Sequence, residues 1–291
     1  MNRASGIGFA AGAVLTFIPF LVMAQEGATA SAAVSRPLPY QSADKTLGVV
    51  TCASSLCHGS IVEWQGSNVL QNEYVTWLRV DKHAGAARLL LNEQSKRIAR
   101  NLGLPDPPEK SKVCLECHAH NPGASRMGSR AKVMDGIQCE ACHGPSERWI
   151  ASHTAPGVTH AQNVSRGLYP TARPVERARL CLSCHFGNED RLVTHRIMGA
   201  GHPRLSFELE TFSNIGPSHF RVDADYEKRK GPWNGAKVWA IGQALAVAET
   251  MKLLNSPTRG RDGIFPELVL FDCHACHHPM SQKRWTATTA F

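Results

Sequence analysis

Between residues 139 and 202 one arrangement of cysteines and histidines occurs twice. Cys139, Cys142, His143, His153 and His160 are matched by Cys181, Cys184, His185, His195 and His202, each 42 positions on. Glu147/Glu189 and Gly157/Gly199 also agree, while most of the residues between them differ. A duplicated unit that keeps only its ligand types needs donor atoms at fixed places and asks of the intervening side chains only that they pack. A Cys-x-x-Cys-His segment is the attachment signature of c-type haem: two thiols bond to the porphyrin edge and the adjacent imidazole falls beneath the iron.

The signature recurs at Cys114, Cys117, His118 and at Cys273, Cys276, His277. Zinc is the competing reading of a Cys-x-x-Cys pair, but a zinc site has no reason to place histidine directly after the second cysteine each time. Cys52, Cys57 and His58 form a looser version with four residues between the thiols, and they use the last two of the ten cysteines. We read this as a fifth haem; a small disulfide loop is its alternative in an oxidising compartment. The proximal iron ligands expected are therefore His58, His118, His143, His185 and His277, with five covalently bound haem c groups as the cofactor.

Nine of the 14 histidines lie outside these motif positions, enough to supply a sixth ligand to every iron. The duplicated unit points to His153, His160, His195 and His202. His83, at the start of a helical stretch between the first two motifs, completes the candidate distal set. His219 and His278 stand in reserve. His274 lies inside a motif and is badly placed to reach across its own haem.

Residues 1–24 carry one positive charge, Arg3, then an apolar run from Ile7 to Met23 and a small residue, Ala24, at the boundary. This predicts a cleaved secretory signal peptide and a periplasmic product, with an uncleaved anchor as the alternative. Residues 25–48 are rich in Ala, Ser, Thr, Pro and Gln and predict a flexible lead. Residues 49–291 read as one pentahaem domain, mainly α with long loops, in which the five haems form much of the core. Aromatic side chains make up only 7% of the sequence, so porphyrin faces have to supply packing surface. Helices are expected over Asp81 to Leu102, stopped by Gly103, and over Gly235 to Leu254, burying Val238, Trp239, Ile241, Leu245, Ala248 and Met251. Asn121 to Lys132 and Pro170 to Arg179 read as surface loops.

The formal net charge of +8 does not indicate nucleic-acid binding. Removing Arg3 leaves +7, and five haems with ionised propionates take the holoprotein from roughly +2 when oxidised to roughly −3 when reduced.

The segments GIQCEACHGP (136–145), DKHA (81–84) and MGAGHPRLSF (198–207) resemble the periplasmic multihaem cytochromes related to cytochrome c-554, the tetrahaem electron acceptor of hydroxylamine oxidoreductase. The resemblance implies a mostly helical, haem-packed fold with closely spaced haem pairs and mainly bis-histidine iron. Two features depart from it: there are five motifs, and the first has expanded cysteine spacing. The pentahaem nitrite reductases are a weaker comparison, because their catalytic haem uses lysine where all five positions here are histidine. The function expected is a relay of electrons between periplasmic redox partner proteins, with membrane contact only through such a partner. The alternative is a haem oxidoreductase with one open iron acting on a small nitrogen or sulfur compound such as nitrite or hydroxylamine.

Overall fold

The computed structural model describes residues 36–66, 69–259 and 266–277; the expected signal peptide and His278 lie outside these residues. The motif stretches are themselves pieces of helix. A helical turn brings residues three and four apart onto one face, so both thiols and the imidazole of a Cys-x-x-Cys-His segment point the same way. The second motif closes α4 (Lys112–His118), the third forms α5 (Cys139–His143) and the fourth is the last turn of α7 (Pro174–His185), each helix taking these numbers in chain order. The fifth opens in a 3-10 turn, Cys273–Ala275. The first, with its two extra residues, runs through turns instead, closed by His58 N donating to Cys52 O at 3.2 Å.

Preceding α4 are α1 (Glu73–Val80), α2 (Ala86–Leu89) and α3 (Glu93–Leu102). Between α5 and α7 lies α6 (His160–Ser165). After α7 come α8 (His195–Gly199), α9 (Leu209–Ile215), α10 (Ala224–Lys230) and α11 (Gly235–Asn255). The fold is mainly helical. Among the described residues the only extended pairing is an isolated parallel bridge between Thr46 and Met127.

Two small apolar clusters hold these helices, and each abuts a motif cysteine. Ala87, Leu90, Leu115 and Ala119 are buried together against Cys114. Ala178, Leu209 and Val238 join α7, α9 and α11 and touch Cys181. Complete burial of a leucine such as Leu209 contributes about 1.5–3 kcal/mol, so clusters this small leave much of the packing to other surfaces.

Several expectations need correction. The helix expected over Asp81 to Leu102 is divided: a 3-10 turn, Lys82–Gly85, leads into α2, and α3 starts afresh after Asn92. The break comes from Asn92, whose side chain accepts from Ser95 N at 2.7 Å and caps a new helix. Gly103 ends α3 as expected, in the left-handed conformation at φ 68°. In α11, Trp239 and Met251 are each 51% exposed. Apolar residues surround this helix, and only the face carrying Val238, Gly242 and Leu253 is covered. Pro170 to Arg179 is not all loop, since Pro174 provides the first turn of α7.

The lead expected to be flexible over 25–48 is packed from Pro37 onward. Leu38 and Thr46 are buried, and the Arg191 guanidinium lies 3.5 Å above the Tyr40 ring. Tyr40 Oη donates to Asp190 at 2.8 Å. Thr46 N donates to Arg126 O, and Gly128 N donates back to Thr46 O. Leu47 and Gly48 donate their backbone N–H groups to Glu140, 1% exposed inside the third motif. Composition registers few apolar side chains here, whereas the segment is held by backbone pairing and one buried carboxylate.

Candidate haem sites

Each motif histidine faces one other histidine ring. His58 stands 6.4 Å from His153 between ring centres, His118 stands 6.3 Å from His202, and His143 stands 6.2 Å from His219. His185 is 5.9 Å from His83, and His277 is 6.1 Å from His195. The rings within a pair range from nearly parallel, 15° for His58 and His153, to nearly perpendicular, 84° for His185 and His83. The five separations fall within half an ångström of one another, from 5.9 to 6.4 Å. Two imidazoles bound to opposite sides of one iron, with metal–nitrogen bonds of about 2.0 Å and ring centres about 1.1 Å behind the nitrogens, stand about 6.2 Å apart. All five pairs have this spacing, and the motif thiols beside them provide the covalent attachment a c-type haem needs. The residues present therefore fit the group.

The ring nitrogens are prepared in the same sense. Nδ1 of His118 is 3.1 Å from Ala86 O, Nδ1 of His153 is 2.5 Å from Ile150 O, and Nδ1 of His202 is 2.7 Å from Pro203 O. Nδ1 of His58 is 3.0 Å from Glu73 Oε2, and Nδ1 of His83 is 2.9 Å from Asp81 Oδ1. An acceptor at Nδ1 fixes the proton there and leaves Nε2 with a free lone pair for a metal. Burial lowers His143 and His185 to about 4, and it lowers His118 and His219 below their usual range. These rings are neutral at pH 7, the form that can ligate. The Glu73 hydrogen bond raises His58, and the Asp81 hydrogen bond raises His83. Burial works against the Glu73 and Asp81 charges, but the hydrogen bonds from His58 and His83 prevail and hold both carboxyls below the ordinary range.

The distal candidates are carried by short, locally determined pieces of backbone. His83 lies on the 3-10 turn capped by Asp81, whose carboxylate accepts from His83 N at 2.9 Å. Gly136, at φ 72°, lets the backbone before the third motif run against this turn: a Cβ there would come within 2.6 Å of His83 O. His153 N donates to Trp149 O, and the Trp149 ring stands edge-on to the histidine at 5.5 Å. His195 opens α8 with its N–H on Glu267 Oε1 at 2.7 Å, and His202 follows the bend after that helix.

His160 is the exception. The reading from the repeat expects it as a ligand, but it sits exposed at the start of α6 behind a capping box made by Thr159 and Gln162. Partial desolvation of its ring, with the charges of Lys230, Arg173 and Arg229, lowers its pKa. His219, from the loop between α9 and α10, stands opposite His143 instead. The repeat preserves His160 in sequence, but the first unit turns that position to the surface while the second keeps His202 facing a motif. No spacing rule singles out His219; only its being an unassigned histidine placed it in reserve. His120 is buried, with Nε2 2.7 Å from Thr46 Oγ1, and belongs to the packing of the lead. His274 is exposed.

The surroundings suit a large group with acidic edges. Cys114, Cys117, His118 and His202 lie on the wall of one cleft. Arg177, one turn before Cys181, has Nε and Nη2 buried without a hydrogen-bond partner, an arrangement that an anionic group would satisfy. Zinc finds no comparable fit: among the described residues there is no group of three or more His, Cys, Asp or Glu side chains placed to hold a metal ion. All ten cysteines carry free thiols, Cys52 and Cys57 included.

Thiols of different motifs meet. Cys52 hydrogen bonds to Cys139, and burial adds to that contact in raising Cys52. Cys117 hydrogen bonds to Cys184, so the proton stays on Cys117 while Cys184 is lowered to about 6 by that bond, helped by Arg191 Nη1 2.9 Å from its Sγ. Cys142 is pushed up to about 12, first by burial and then by Cys181.

Residues 51–144, which hold the first three motifs and His83, match the family model described as cytochrome c554 and c-prime. This stretch is cytochrome c-554-like. No curated protein and no solved structure matches the chain. The cytochrome c-554-like match supports covalently bound haem and the role of a c-type electron carrier. Among the described residues no helix is long and apolar enough to cross a membrane.

Proposed function

We propose that the chain is a periplasmic pentahaem cytochrome that relays electrons between redox partner proteins. The observation that carries this reading is the set of five histidine pairs, each joining one motif imidazole to one other at the spacing of two axial ligands. His58 and His153 would hold the first haem, His118 and His202 the second, His143 and His219 the third, His185 and His83 the fourth, and His277 and His195 the fifth. Each haem would supply an iron that takes up and releases one electron. The chain would anchor the groups through its ten cysteines, orients His58, His83, His118, His153 and His202 through their Nδ1 acceptors, and would put a histidine on each side of every group, which would leave small molecules no vacant position. That closure supports a relay over the alternative of an oxidoreductase acting on nitrite or hydroxylamine.

The first motif, despite its expanded spacing, has a histidine pair like the other four, which supports a fifth haem over a disulfide loop. The sites adjoin in an order that differs from the sequence. Cys52 of the first meets Cys139 of the third, Cys142 of the third lies near Cys181 of the fourth, and Cys184 of the fourth meets Cys117 of the second. The segment of α8 and its following bend carries His202 of the second and His195 of the fifth. The sites therefore follow one another as first, third, fourth, second and fifth.

The test is the spectrum of the oxidised holoprotein together with carbon monoxide added to the reduced form. The reading expects low-spin iron throughout and no gas binding, because an imidazole held by packed backbone competes at high effective concentration. Stoichiometric binding by one haem in five would refute it, and turnover of nitrite or hydroxylamine by that protein would establish the oxidoreductase.

A further inference from the structure

We propose that Glu73 and Asp81 hold the first and fourth haem sites at lower reduction potentials than the second, a potential-setting role that rests on the bis-histidine reading above. The two carboxylates are not ligands. Each meets the outer nitrogen of an imidazole whose inner nitrogen faces the iron position: Glu73 Oε2 at 3.0 Å from His58 Nδ1, and Asp81 Oδ1 at 2.9 Å from His83 Nδ1. At the second site both outer nitrogens meet neutral backbone carbonyls, Ala86 O for His118 and Pro203 O for His202. This contrast is internal to one molecule.

A carboxylate draws the Nδ1 proton more strongly than a carbonyl does, which makes the ring a better electron donor through Nε2. A more basic axial ligand and a nearby negative charge both favour the ferric over the ferrous iron, and so lower the potential. The carboxylates are placed to be felt. Their side chains are only 17% and 19% exposed, which limits screening by solvent. They are also fixed independently of the iron: Leu70 N donates to Glu73 Oε1 at 3.0 Å, and His83 N donates to Asp81 Oδ1 at 2.9 Å. The first site ends the series of adjoining sites and the fourth stands between the third and the second, so the two lowered sites are not neighbours. Electrons entering the protein would then settle preferentially elsewhere, on sites that include the second.

The variant Asp81→Asn keeps an oxygen acceptor for His83 while removing the charge, and Glu73→Gln keeps one for His58 while its amide N–H faces Leu70 N–H. Optical and paramagnetic redox titration of the full-length holoprotein reads the result. Each variant should raise the potential of one haem, a different one in each case. The expected change is at least tenfold in that haem's oxidised-to-reduced ratio at fixed ambient potential, equivalent to about 59 mV for a one-electron couple. All five irons should stay low-spin, and Glu73→Asp should retain the wild-type potential. Unmoved potentials with low-spin iron would overturn the proposal. Conversion of a haem to high spin would also overturn it, by showing that the carboxylate merely holds the ring. Failure of the bis-histidine reading is distinguishable, because it would appear as high-spin iron in the wild-type protein.

Discussion

Replacing Glu140 by alanine should release the packed lead from the third motif. The carboxylate is 1% exposed. In four short bonds its Oε1 accepts from Leu47 N at 2.9 Å, Ser146 N at 2.8 Å and Ser146 Oγ at 2.6 Å, and its Oε2 accepts from Gly48 N at 2.8 Å; a fifth, longer contact comes from Gln138 Nε2 to Oε2 at 3.4 Å. Hydrogen bonds to a charged group contribute about 1.5–3 kcal/mol each, so four taken singly would approach about 6–12 kcal/mol. That figure overcounts, because four donors share one acceptor group and their terms do not add. What survives in the alanine variant is the desolvation of the buried Gly48 and Ser146 N–H groups, about 1–3 kcal/mol each, together with a small cavity. A loss of about 3–5 kcal/mol is expected. Glu140→Gln keeps an oxygen for the three Oε1 donors and turns an amide N–H toward Gly48 N–H, so its loss should be smaller, about 1–3 kcal/mol. Guanidinium unfolding of the holoprotein, followed by far-ultraviolet circular dichroism, measures both, and limited proteolysis should cut residues 37–48 sooner in the alanine variant. An alanine variant within about 1 kcal/mol of wild type, the scale of an ordinary substitution, would refute the assignment of Glu140 as the anchor.

His219→Ala should convert one haem to high spin while His160→Ala leaves all of them low-spin, and paramagnetic resonance that showed the reverse would restore the assignment read from the repeat. Gly136→Ala should displace the His83 turn, since the added methyl would meet His83 O at 2.6 Å; the expected signature is partial high-spin character at the fourth haem and a stability loss of about 1–3 kcal/mol. A wild-type spectrum and stability in that variant would show that the close approach is not needed. Intact mass of the secreted protein should show a chain starting at Gln25 with five haem increments. Four would remove the Cys52 and Cys57 assignment, and a retained amino-terminal segment would restore the anchor.

The chemistry was legible in the sequence because it is local. Covalent attachment of haem needs two thiols and an imidazole close together along the chain, so the five candidate motifs can be picked out from spacing alone. Gly103 and the limits of α11 were legible for the same reason, being set by nearest neighbours along the helix. Helix boundaries failed where a cap within an apolar pattern decided them, as at Asn92.

The histidine that faces each motif ring is a different kind of feature. His153 faces His58, 95 positions away in sequence, and His219 faces His143 from a loop with no pattern of its own. No local rule distinguishes His219 from His160; only the turning of α6 toward solvent does. The anchoring of the lead by Glu140, the carboxylates behind His58 and His83, and the order in which the sites adjoin are likewise contacts between distant segments. The sequence by itself determined where the candidate attachment motifs lie, since attachment is a short-range covalent constraint. The tertiary structure alone decided which motifs adjoin and which histidine faces each motif ring, since those depend on how the chain returns to itself.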